Sequence, residues 1–143
     1  MKLFIYDHCP YCIKARMIFG LKNVPIELVF LLNDDEQTPI KMIGKKMVPI
    51  LQKDDGEFMP ESMDIVHYID QNFGGAPIIN PSKNGQIIAW LDEVSGTRYR
   101  LAMPRWIKAG LPEFKTQSSI DYFIKKKEMY IGYFAEGIAK TSE

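Results

Sequence analysis

The sequence predicts an α/β protein: a β-α-β-α-β-β-α segment followed by an all-helical region. Three observations carry this expectation. Short branched-apolar runs alternate with helical periodicity over roughly the first seventy residues. Asp54-Asp55-Gly56 then separates two further apolar runs, as a hairpin turn would. After "GGAPIINPS" the spacing becomes purely helical.

The elements can be justified in order. Leu3-Phe4-Ile5-Tyr6 is an apolar run stopped by polar residues, which suits a strand buried on both faces. Ile13, Met17 and Leu21, with Ile18 beside them, form a helical stripe, and Lys14, Arg16 and Lys22 are expected to face outward. "KNVP" breaks that helix, and residues 26–32 read as the second strand. "NDDEQTP" is a loop, and residues 37–44 hold a short helix ended by Gly44. "VPILQKDDGEFM" supplies the hairpin. "PESMDIVHYIDQNF" reads as a helix, with Met63, Ile65, Val66 and Ile69 at helical spacing behind a polar cap region. The expected division is 1–73 as the first domain, 74–83 as a linker and 84–143 as a partial helical domain. Within the last, "NGQIIAWLDEVSGTRYRLAMPRW" and "SSIDYFIKKKEMYIGYFAEGIAK" each read as one helix, with Pro104 kinking or ending the first.

Composition narrows the function. The 143 residues carry 18 basic and 18 acidic side chains, for zero formal charge, which removes the electrostatic case for nucleic acid or an anionic membrane as main partner. No apolar run approaches the ~20 residues that cross a bilayer. The N-terminal apolar run stops at Asp7, well short of a secretory signal. A cytoplasmic chain is expected, where a purely structural disulfide is unusual.

Both cysteines fall in "HCPYC". Cys9 and Cys12 sit where the first strand hands over to the first helix, and Pro10 is tolerated in a first helical turn, where its missing N–H has no partner. Cys9 then occupies the helix N-terminus, where free N–H groups and the helix dipole favour an anion and bring the thiol below its ordinary value of ~8.5. Cys12, one turn on, is within disulfide reach and reads as the resolving partner. Inert buried cysteines are the bland alternative, but C-x-x-C beside a βαβ pattern is a redox signature. Zinc needs four ligands, and only His8 and His67 could add to the pair, so no metal is expected. His8 reads as a solvent-edge residue adding positive potential near Cys9, and His67 as an ordinary helix residue.

Two further sites accompany the cysteines. Val48-Pro49 opens the third strand, and a proline there cannot donate to a sheet ladder. In the cis form it would turn the polar backbone of Val48 toward an extended peptide; a plain trans proline at an edge is the alternative. Pro60-Glu61-Ser62 precedes the next helix, with Ser62 at or next to the N-cap. That is either a capped helix or a place where free N–H groups receive a carboxylate.

Taken together, these residues resemble the glutaredoxins. Cys9-Pro10-Tyr11-Cys12 is the glutaredoxin active-site sequence, Val48-Pro49 resembles the thioredoxin-fold cis-proline step, and Glu61-Ser62 resembles the glutathione-transferase motif for the γ-glutamyl group. "YDHCPYCIKARMIFGLKN", "LLNDD" and "MVPILQKDDGEFMPESMDIVHY" are similar to the larger bacterial glutaredoxins of glutathione-transferase architecture, and "AWLDEVSG" and "LAMPRW" continue in register.

The resemblance implies a thioredoxin fold with a mixed sheet, then an all-α glutathione-transferase-like region. It implies glutathione as co-substrate, disulfide-containing proteins or small molecules as substrates, and no metal. Cys9 would be the nucleophile and Cys12 the resolving thiol. Val48 would pair with the cysteinyl unit of glutathione, with Pro10 and Pro49 beside it, and Glu61 and Ser62 would hold the γ-glutamyl end. Tyr11 would flank the tripeptide, and Met47 or Lys45 would line its glycine side. Proteins of this kind carry five or more helices in the second domain, and two are read here. The shortfall would leave Trp90, Tyr99, Trp106, Phe123, Tyr130 and Phe134 partly uncovered, so a monomer is expected at full length and a dimer for the shorter chain.

Two other functions compete. A conjugating glutathione transferase has no need of the second cysteine, and conjugation surviving in a Cys9→Ser variant would favour it. A non-catalytic glutathione or iron–sulfur binding module would show visible absorption in its cluster form.

Overall fold

A computed structural model describes residues 1–80 and 85–139. Its first half is a four-stranded mixed sheet flanked by three helices. The strands are β1 (Lys2–Ile5), β2 (Glu27–Phe30), β3 (Ile50–Gln52) and β4 (Phe58–Pro60), and the helices are α1 (Pro10–Leu21), α2 (Gln37–Ile43) and α3 (Ser62–Asn72). The sheet order is β2-β1-β3-β4. β1 pairs parallel with β2, as a strand-helix-strand crossover requires, and antiparallel with β3. β3 and β4 form the expected hairpin, and Gly56 supplies a φ of +89° in its turn.

Alternation along the strands builds two cores. Leu3, Ile5 and Leu51 point to one face, against Ala15, Ile18 and Phe19 of α1 and Ile65, Val66 and Ile69 of α3. Phe4 and Ile50 point to the other, against Met42 and Ile43 of α2. The architecture is therefore the expected α/β one.

The face of α1 corrects the sequence expectation. Cys12, Ala15, Ile18 and Phe19 are buried, while Ile13, Met17 and Leu21 are exposed. Lys22, expected outside, lies in the interior with only 1% of its side chain exposed. Its ammonium donates to the carbonyls of Asp70 (3.0 Å), Gly75 (3.1 Å) and Ala76 (2.7 Å) and lies 3.3 Å from the Asp70 carboxylate. Full hydrogen bonding lets a buried cation stand. That carboxylate accepts in turn from the N–H groups of Ile78 and Ile79. The chain leaving α3 is thus tied down through residue 79, inside the expected 74–83 linker, whose residues 81–83 lie outside the described residues.

The second half comprises α4 (Gly85–Trp106), a 3-10 turn (Pro112–Phe114), α5 (Gln117–Ile131) and α6 (Phe134–Ala139). Pro104 falls in the last turn of α4, which ends at Trp106. The stretch expected to be one helix is two: Gly132 takes a φ of +83° after α5, and the Glu128 carboxylate accepts the N–H of Phe134 to open α6. Of the aromatic residues expected to be uncovered, Trp90 is 58% and Tyr130 76% exposed. Phe123 and Phe134 are buried, packed with Met103 and Phe114. Among the described residues no helix is long and apolar enough to cross a membrane.

Candidate active site

The ladder gathers the predicted residues at one edge of the sheet. Ile50 of β3 pairs with both Phe4 of β1 and Pro60 of β4. The end of β1, the start of β3 and the end of β4 therefore share that edge. Cys9 follows the first, Val48-Pro49 precedes the second, and Glu61-Ser62 follows the third.

Cys9 is the N-cap of α1 and Pro10 is its first helical residue. The carbonyl of Cys9 accepts from the N–H of Ile13 at 3.0 Å, closing the first turn. Both cysteines are free thiols, Cys9 half-buried and Cys12 fully buried. A hydrogen bond from the Cys12 thiol is the largest influence on Cys9, and the N–H groups of Cys12 and Tyr11 add to it. Burial and the Glu113 carboxylate oppose them, and the balance brings Cys9 down to about 7. The same bond, with burial, pushes Cys12 far upward. The sequence reading foresaw the helix terminus but not the larger contribution of the second thiol.

The Val48-Pro49 peptide is cis. Val48 and Met47 share a cleft of about 430 Å³ with Cys9, Pro10 and Tyr11. Pro49 is fully buried, and neither it nor Glu61 nor Ser62 lines this cleft. Glu61 is instead the N-cap of α3, at a φ of +68° that a side chain adopts at a cost of about 1–3 kcal/mol. Its exposed carboxylate pairs with Lys45 at 3.3 Å. Ser62 is the first residue of α3 and is buried. Lys45 thus engages Glu61, and the next lysine, Lys46, is the one on the cleft wall.

The opposite wall was not foreseen. Tyr99, Met103 and Trp106 of α4 and Tyr122, Phe123 and Lys126 of α5 face the cysteine across the cleft. Lys46 lies 3.6 Å from the Tyr122 ring centroid, and burial, then Lys126, brings its ammonium down to about 8. Burial also raises the Tyr6 phenol, which stays neutral.

His8 is a correction. It is not at the solvent edge: only 8% of its side chain is exposed. Its ring lies 4.7 Å from that of Trp106 and 5.2 Å from that of Phe114, and Nδ1 lies 2.5 Å from Glu113 Oε1. Only the periodicity around "LPEF" could have hinted at this partner, and it carries no such signal. His67 is exposed on α3. Among the described residues no group of three or more His, Cys, Asp or Glu side chains could hold a metal ion.

A cysteine-bearing helix start, a cis-proline and a helix after β4, at one edge of a β2-β1-β3-β4 sheet, define a thioredoxin-type domain. Residues 3–77 match the glutathione S-transferase N-terminal domain, and the chain belongs to that family. Residues 86–143 match the C-terminal domain of glutaredoxin 2. The chain is 55% identical over 141 residues to glutaredoxin 2 of Escherichia coli K12, a match covering 99% of this chain and 65% of that protein. The crystal structure of glutaredoxin 2 from Salmonella typhimurium in complex with glutathione superposes with a TM-score of 0.92 at 55% identity, over 99% of this chain and 64% of that one. The chain thus spans about two-thirds or slightly less of these relatives' length, 65% and 64%. A glutathione S-transferase from Xanthobacter autotrophicus Py2, 19% identical with a TM-score of 0.54 over 97% of this chain and 65% of its own, shares the fold. The resemblance read from Cys9-Cys12, Val48-Pro49 and Glu61-Ser62 is borne out by these relatives.

Proposed function

We propose that this chain is a glutathione-dependent thiol-disulfide oxidoreductase acting through Cys9 and Cys12. The observation that carries the reading is geometric: Cys9 caps the start of α1 on the cleft wall beside Val48 of the cis Val48-Pro49 peptide, and Cys12 lies buried one turn behind it. One sulfur, at the helix start, is held as the nucleophile near neutral pH; the other, buried behind it, keeps its proton and donates to it.

The chemistry balances without a metal. The Cys9 thiolate attacks the glutathionyl sulfur of a mixed disulfide. One S–S bond breaks, the substrate thiolate leaves and takes a proton, and Cys9 carries glutathione. A second glutathione thiolate attacks that adduct, oxidised glutathione departs and the Cys9 thiolate returns, two electrons having reached the substrate. With a protein disulfide, Cys9 forms the mixed disulfide and Cys12 loses its proton to attack it. The resulting Cys9–Cys12 bond is then reduced by two glutathione molecules.

Glutathione binding is assigned to the shared sheet edge, consistent with the glutathione complex of the Salmonella relative. The backbone of Val48 would pair with the cysteinyl unit, with Cys9, Pro10 and Pro49 beside it; Tyr11 would flank the tripeptide, Met47 would line its glycine side, and Glu61 and Ser62 would hold the γ-glutamyl end. The strained φ of Glu61 supports that role, since such strain gathers at binding sites. Division into 1–73 and 84–143 with a linker between belongs to the same reading. So do a reducing cytoplasmic setting and disulfide-containing substrates.

The test is mass detection of a glutathione adduct on Cys9 in Cys12→Ser, with glutathione-dependent reduction of hydroxyethyl disulfide by the unaltered chain. Adduct and turnover together are expected. Absence of both overturns the reading, and conjugating activity surviving in Cys9→Ser would replace it with a transferase.

A further inference from the structure

We propose that Glu113 is a positioning residue for Cys9, clamping the turn before the nucleophile from the helical half of the chain; this rests on the oxidoreductase reading above. Glu113 lies in the 3-10 turn after α4, 105 positions from His8, and is wholly buried. One oxygen, Oε1, accepts both the main-chain N–H of His8 at 3.0 Å and a bond from its ring Nδ1 at 2.5 Å. The other, Oε2, has no hydrogen-bond partner among the described residues. All the side-chain bonding of this carboxylate is therefore committed to the residue that precedes Cys9. Its carbonyl accepts from the N–H of Asn33, so the same residue also holds the loop after β2 on the cleft wall.

Adhesion between the halves does not call for this arrangement. A buried carboxylate with one bare oxygen is costly, and an apolar side chain of that volume commonly does as well. The rings of Trp106, Phe114 and Phe123 around His8 already supply apolar contact. Nor does the carboxylate charge activate the thiol, because it works against the Cys9 anion. What two bonds to one residue do supply is direction. They fix the Asp7–His8 peptide and the His8 ring together, and with them the path by which the chain enters the helix at Cys9.

Other titratable groups also face Cys9 and stay constant in the test. On the near side these are Tyr6, His8, Cys12 and Lys46. Across the cleft, α4 contributes Tyr99 and α5 contributes Tyr122, Lys126 and Lys127.

The experiment follows iodoacetamide alkylation of Cys9, resolved by peptide mass, between about pH 5 and 9 in the 143-residue chain and two variants. Glu113→Gln keeps an acceptor oxygen for His8 and loses the charge. Glu113→Met keeps the volume and loses the acceptor. The midpoint near 7 is expected to stay or fall in Glu113→Gln and to rise by about one unit in Glu113→Met. The rate of glutathione adduct formation at neutral pH should fall about tenfold in the second variant only. Midpoints that fall in both variants, or move in neither, overturn the proposal. Should Glu113→Met fail to fold by circular dichroism, His8→Phe keeps the ring packing and removes the ring bond. A rise is expected there too, and an unchanged midpoint overturns the clamp. Alkylation uses no glutathione, so a parent chain with its midpoint near 7 but no adduct would sink the oxidoreductase reading alone.

Discussion

Lys22 and Asp70 meet at 3.3 Å where α1 and α3 both end, with 1% and 3% of their side chains exposed. Between them they hold four backbone groups of the segment that leaves α3: the carbonyls of Gly75 and Ala76 and the N–H groups of Ile78 and Ile79. The segment leaving α3 is fixed there, at the C-terminal end of α1, the end opposite Cys9.

Gly74 is where this arrangement is tightest. It takes a φ of +63°, and a Cβ added to it would lie 2.3 Å from the carbonyl oxygen of Lys22. Gly74→Ala should therefore lower the stability by about 2–4 kcal/mol, from backbone strain and overlap together. Chemical denaturation measures it. Gly75→Ala, with a similar φ and open space around it, should cost less.

The reactivity of Cys9 should follow its own titration. With the folded value at about 7, alkylation of Cys9 rises through neutral pH and drops about tenfold per unit below it. Cys12→Ala removes the thiol that donates to Cys9 and should move the midpoint up by about one unit. Rates measured against pH in both proteins check this. Because the folded value lies below the unfolded one, the thiolate adds stability that is fully present above about pH 9 and lost as the pH falls through 7.

The two cysteines should separate by substrate. Cys9→Ser is expected to lose at least about a hundredfold in reduction of a glutathione mixed disulfide. Cys12→Ser should retain that activity and lose the reduction of an intramolecular protein disulfide, which needs the second sulfur to release the substrate. Coupled assays on the two substrates distinguish these outcomes.

Thr116 caps α5, accepting the N–H of Ser119 at 3.2 Å, while the hydroxyl of Ser119 donates to Asp34 at 2.6 Å. Thr116→Ala should cost about 1 kcal/mol. Ser119→Ala should cost a similar amount and remove the larger of the two serine hydrogen bonds that lower the Asp34 carboxyl, leaving Ser118. Thermal denaturation of the two variants checks both values.

Much of the first half was legible because its signals are local. Asp54-Asp55-Gly56 announces its turn, Gly44 ends α2 at a φ of +76°, and Pro10 marks the start of α1. The site was legible as a set of motifs for the same reason. What stayed hidden depends on partners distant in sequence. Lys22 looks like any helix-surface lysine until the carbonyls near residue 75 fold over it. His8 looks exposed until Glu113 arrives. The break at Gly132 was overlooked because apolar spacing continues across it, whereas the Glu128 carboxylate that opens α6 belongs to the preceding helix.

The row Phe4, Ile50 and Pro60 acts as a ruler laid across three strands. Each working segment hangs from the end of a different strand, and their spacing is metered by the ladder rather than by the loops. Substitutions in the turn between Gln52 and Phe58 therefore leave the ladder in step as long as Gly56 keeps its φ of +89°. One extra residue within β3 or β4 would instead turn every side chain beyond it to the opposite face. The hairpin tip is thus the natural place to carry a label or a new peptide, and its rungs are the place where length must not change.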